Sequence, residues 1–171
     1  MPKLTKRTQP LTKPQQREFV SYHIPGRIQV IEGCFADQGQ IPYGKLAAAA
    51  IFARAIAAFL GFSTRSGRLH PDHTYFPHEP GRSWEVKLSD IDGGSCLALH
   101  DLTTQERDAL ENGINETNRA FAHLTYWDVP ADQDSRGRAT EIYRRAQVQR
   151  LRLFAETVVA VFRRATAGLP K

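Results

Sequence analysis

The chain is expected to be all-α: a helical bundle on three long helices, with an irregular insert at about 62–101 that has room for a small hairpin. Three observations predict it. Leu110, Ile114, Thr117, Phe121 and Leu124 recur at spacings of 4, 3, 4 and 3, and Leu151, Phe154, Val158, Val161 and Ala165 at 3, 4, 3 and 4. Each series is the stripe of a helix buried along one side. The stretch 42–60 is alanine-rich and carries only Lys45 and Arg54, as a core helix should.

In chain order, residues 1–13 are expected as a flexible basic arm and 14–171 as a single helical domain. Pro14 suits the first turn of a short helix reaching about Tyr22. Residues 24–44 contain Pro25, Gly26, Gly33, Gly39, Pro42 and Gly44, and are expected to be irregular, with a short strand at 27–31. The first long helix, 42–60, buries Phe52, Ile56, Phe59 and Leu60, and its alanines at 47–50 admit a close neighbour. Gly61 stops it. In the insert, Trp84, Val86 and Leu88 alternate with Glu85, Lys87 and Ser89. Gly93-Gly94 then offers a turn back through 95–100, which places the hairpin there. Thr103 with Glu106 forms a capping box that opens the second long helix. Residues 128–137 end it, and the third runs over 138–165.

The chain has 171 residues, 41% hydrophobic and 24% charged, which is the composition of a globular domain able to bury a core. No apolar run reaches about 18 residues, so no membrane span is expected. The start has no apolar signal core, and Cys34 and Cys96 form no C-x-x-C, which together suit a cytoplasmic protein with two ordinary thiols. The net charge of +5 conceals an asymmetry. Residues 1–17 hold five bases and no acid, and 136–164 hold eight arginines against Glu141 and Glu156. Residues 28–134 hold fifteen acids against eight bases, a net of −7. Basic ends on an acidic body suit a polyanion such as RNA or DNA. Arginines on a long helix also coat solvated faces and pack their stems on apolar surface.

Three constellations bear on chemistry. Arg119 and His123, four apart on one helical face with Asn118 beside them, can act on one phosphate. Arginine grips it with a planar fork and histidine moves a proton near neutrality. A structural histidine beside a solvated arginine accounts for the same residues. His70, His73 and His78 with Asp72 have the side chains of a Zn²⁺ site, but three prolines and no nearby cysteine favour a polar loop, so no metal and no cofactor are expected. Pro71-Asp72 with Glu85-Val86-Lys87 spells the P-D…E-x-K pattern of Mg²⁺ nucleases, which requires a mixed sheet that this sequence does not suggest.

Two segments carry a resemblance. Residues 52–60 read F-A-R-A-I-A-A-F-L, and 118–126 read N-R-A-F-A-H-L-T-Y. They resemble a prokaryotic protein group with helices of the form H-A-R-N-L-I-D-F-L and N-x-x-x-A-H-L-T-Y, which is in turn similar to the HEPN superfamily. The segment 72–76 and Trp84 stand where that group has its aspartate/aromatic stretch. The likeness covers about 45–62 and 103–161. HEPN proteins are helical bundles, often dimeric, and their active members are metal-independent RNases of toxin–antitoxin and phage-defence systems. Their signature is an arginine, a polar residue and a histidine. Here Arg119 and His123 stand one residue closer than in that signature, with Asn118 as the polar member. The resemblance implies an RNA-directed protein with Arg119 and His123 catalytic. Arg54, Asn118, Arg138, Arg145 and Arg152 would bind substrate, and an antitoxin or a second copy would be the protein partner. The alternative is a non-catalytic helical binding or scaffolding module for nucleic acid or a protein.

Overall fold

The computed structural model describes residues 11–36, 41–71, 86–120 and 133–169, with backbone alone at Tyr43, Ala120 and 133–144. Helix α1 (Lys13–Glu18) passes through a π turn (Phe19–His23) directly into α2 (Ile24–Phe35). After it come α3 (Tyr43–Phe59), strands β1 (Phe62–Arg65) and β2 (Arg68–Pro71), α4 (Thr104–Ala120) and α5 (Gln133–Thr166). The described residues are therefore mostly helical, with one two-stranded hairpin.

The first correction concerns residues 24–35, expected to be irregular with a strand at 27–31 and found as helix. Pro25 has no N–H to give, and its ring presses on the preceding turn. The π turn just before it widens the backbone there, and Ile24 N–H bonds to the Phe19 carbonyl. Arg27 reaches back to the His23 carbonyl at 3.0 Å. Burial of Ile24, Ile28, Ile31, Cys34 and Phe35 then outweighs the weak propensity of Gly26 and Gly33. The helix also starts at Lys13, inside the segment expected as an arm, with Thr12 and Gln15 forming a capping box.

The long helices lie where the stripes put them. Ala49, Ala53, Ile56, Ala57 and Leu60 of α3 are buried, as are Leu110, Ile114 and Thr117 of α4 and Leu151, Phe154, Val158 and Val161 of α5. Phe52 is only partly buried, with Arg27 over its ring at 5.9 Å. Phe121 and Leu124 lie outside the described residues. Helix α5 begins at Gln133, so the expected break at 128–137 ends sooner than its polar composition suggested.

Gly113 lets α4 and α5 approach closely. A methyl group there would stand 2.0 Å from Cγ of Phe154, so only glycine lets α4 lie this near α5. The capping box of α4 forms as expected, with Thr103 N–H donating to Glu106 at 2.8 Å and Glu106 N–H to Thr103 Oγ1 at 3.2 Å. Gly61 has φ +95°, the left-handed conformation that ends α3.

The described residues of the expected hairpin segment, 86–100, form no strand, and Trp84 and Glu85 lie outside the described residues. Leu88–Asp90 and Leu99–Asp101 are single 3-10 turns, held by Asp90 and Asp101 accepting from backbone N–H groups. The strands form earlier, around Ser66-Gly67, whose φ values of +48° and +78° are those of a two-residue hairpin turn.

Candidate functional site

The final turns of α4 carry the residues singled out by the sequence. Thr117 is buried and donates to the Gly113 carbonyl at 2.7 Å, so its hydroxyl is satisfied within the helix. The Asn118 Oδ1 atom is also buried, and has no hydrogen-bond partner among the described residues. Burial of that polar atom sets the position apart from a solvated helix face. Arg119 beside it is exposed. His123 lies outside the described residues.

Arg54 is exposed on α3. It does not share a level with Arg119. The Phe59 and Phe162 rings meet at 6.1 Å, and Arg164 meets Glu106 at 2.7 Å. The end of α3 and the start of α4 thus lie at one end of the bundle, which leaves Arg54 about two helical turns from the level of Arg119.

The arginines of α5 divide. Arg145 is exposed, and of Arg138 only the backbone is described. Arg152 turns inward. It donates to the Phe35 carbonyl at 2.5 Å, lies 5.6 Å over the Phe35 ring and approaches Glu156 at 4.0 Å. Arg163 pairs with Glu32 at 2.7 Å. Arg150 and Gln147 both reach Glu116, at 3.8 and 2.9 Å. Arg164 grips Glu106 through both carboxylate oxygens, at 2.7 and 3.3 Å, and also donates to the Asp101 carbonyl. The Arg164 hydrogen bond, followed by those from Thr103, holds the Glu106 carboxyl below its usual value, and Arg164 is raised in turn. Burial pushes the Cys34 thiol up.

The hairpin adds two cations that sequence reasoning missed. Leu69 N–H donates to Glu111 at 2.8 Å, and Asn115 donates to the Gly67 carbonyl at 2.8 Å. These bonds fasten β2 along α4 with the turn toward the Arg119 end. Arg65 and Arg68 pair across the strands and are exposed. The Ser66-Gly67 dipeptide was the available signal, but the flanking residues lack the alternation that marks a strand.

The metal-nuclease pattern is only partly described. Lys87 is buried and its ammonium donates to the Ala58 carbonyl at 3.0 Å, at the end of α3 where a helix favours a cation. Asp72, Glu85, His73 and His78 lie outside the described residues, while His70 is half-buried on β2. Among the described residues no three His, Cys, Asp or Glu side chains form a group suited to a metal, and no helix is long and apolar enough to cross a membrane.

No family model, curated protein or solved structure matches this chain.

Proposed function

We propose that this is an RNA-directed helical protein of the HEPN type, acting as a metal-independent endoribonuclease in a prokaryotic defence or toxin system. One observation carries the reading: exposed Arg119 stands beside the buried Asn118 oxygen, which has no partner among the described residues, four residues before His123 in the sequence. His123 takes the proton of a ribose 2′-hydroxyl, and that oxygen attacks the adjacent phosphorus. The bond from phosphorus to the 5′-oxygen breaks, and the leaving oxygen takes a proton from water. His123 gives its own proton to the hydroxide that results, and a cyclic phosphate remains. Arg119 holds the phosphate oxygens on which charge develops. Asn118, Arg54, Arg138 and Arg145 contact the substrate, whereas Arg152 already serves the Phe35 carbonyl. Incubating the purified protein with labelled mixed RNA in EDTA tests this. Wild type should cleave and His123→Ala should not. Equal cleavage by both would remove His123 from the chemistry.

The exposure of Arg54, Arg119 and Arg145 also favours a second reading, a non-catalytic module that grips nucleic acid or an acidic partner. Binding that weakens steeply with salt, without cleavage, identifies it. Absence of RNA binding even at low salt would leave an interaction with protein, either an antitoxin or a second copy.

A further inference from the structure

We infer that the outward face of the β1–β2 hairpin is a second phosphate-binding element, which extends the RNA surface from Arg119 across Arg65 and Arg68. The inference rests on the RNA-directed reading above. Its starting point is register. Arg65 lies directly opposite Arg68 and Ser63 opposite His70, so these four share one face of the hairpin. Phe62 and Leu69 are buried on the other face, which fixes the arginine face outward. Like charges directly opposed across strands repel each other. An anion seated between the two guanidinium groups turns that repulsion into attraction on both sides.

The hairpin is also aimed at Arg119. Glu111 holds Leu69, and Asn115, one turn further along α4, holds Gly67. Arg119 is the next residue on that helical face, about 6 Å beyond Asn115. The clamp therefore sets the turn between Arg65 and Arg68 one helical turn from Arg119, although more than fifty residues separate them in the chain. Glu111 is the acid in contact, 3.6 Å from Arg68, and it also accepts from the Leu69 N–H. The Arg68 side chain nevertheless remains 81% exposed. Arg65 and His70 have contacts of their own, and Arg65 stays on the surface. Exposed Arg65, Arg68 and Arg119 spread along the hairpin and α4 fit the repeating phosphates of a single strand better than one isolated anion. Arginine forks match phosphate oxygens in pairs.

The test is the affinity of a fluorescein-labelled single-stranded 2′-O-methyl RNA 20-mer, which has no free 2′-hydroxyl to attack and so stays intact, by anisotropy across a salt series. Arg65→Ala/Arg68→Ala should bind more weakly and lower the slope of log affinity against log salt by about 1.4, the share of two phosphate contacts on a single strand. Arg65→Lys/Arg68→Lys should recover most of the slope, which separates lost charge from a damaged hairpin. If wild type binds and the alanine pair matches it in slope, the hairpin inference is overturned and the RNA reading stands. If wild type binds no RNA at low salt, both are overturned. Binding of a polyglutamate peptide in that case would assign the face to an acidic protein.

Discussion

The two ends of the α4–α5 pair use arginine in opposite ways. Around Glu106, Arg164 closes a network of carboxylate, backbone carbonyl and capping box, and nearby Arg163 is tied to Glu32 on α2. At the other end the ion pairs of Arg68 with Glu111, at 3.6 Å, and Arg150 with Glu116, at 3.8 Å, are longer than the 2.7 Å pairs of Arg163 and Arg164, and Arg119 is exposed. Eight arginines in 136–164 suggest a cationic helix, yet the described ones mostly fasten α5 to its neighbours. On the proposed reading, a polyanion is held by the arginines that acids grip least closely, not by the whole run along α5.

The largest effect should come from the contact that brings these helices into register. Gly113→Ala places a methyl group against Phe154 and should destabilise the fold by about 1–3 kcal/mol in urea denaturation. A neutral result would mean that α4 and α5 do not pack this closely.

Next comes the structural arginine end. Glu106→Gln keeps a side chain able to cap but removes the charge held by Arg164, and should cost about 1 kcal/mol near neutral pH. Glu106 is held below the ordinary carboxyl value, so its contribution is complete above the unfolded value of about 4.3. It is lost as pH falls through the lower folded value. The stability gap between wild type and Glu106→Gln should thus close on acidification. A gap that stayed constant with pH would contradict the charge argument.

The smallest stability effect belongs to the exposed group. Arg54→Ala and Arg145→Ala should each stay within about 0.5 kcal/mol of wild type in the same denaturation series. A larger loss at either position would place it with the structural arginines.

Much of this arrangement was legible in the chain. The stripes on α4 and α5, the uncharged α3, the Thr103–Glu106 box and Gly61 are all local patterns, and local patterns survive folding when the core agrees with them. What was not legible depended on tertiary context. Pro25, Gly26 and Gly33 looked like breakers because nothing in the sequence announces a π turn or the apolar face that α2 buries. Val86, Leu88 and Gly93-Gly94 looked like a hairpin, but aspartate caps and the tie from Lys87 to α3 fold that segment into short turns. At the candidate site, helical spacing singled out Arg119 and Asn118 together with His123, which lies outside the described residues. Arg65 and Arg68 were not singled out, because bonds with Glu111 and Asn115, distant in the chain, fasten the hairpin to α4.

The contrast between the two ends is tested most directly by the salt dependence of affinity for the same 2′-O-methyl RNA in Arg119→Ala beside Arg163→Ala. The account predicts that Arg119→Ala flattens the slope by about 0.7, one phosphate contact on a single strand, while Arg163→Ala leaves it at the wild-type value. Equal slopes for the two variants, or a loss confined to Arg163→Ala, would contradict it.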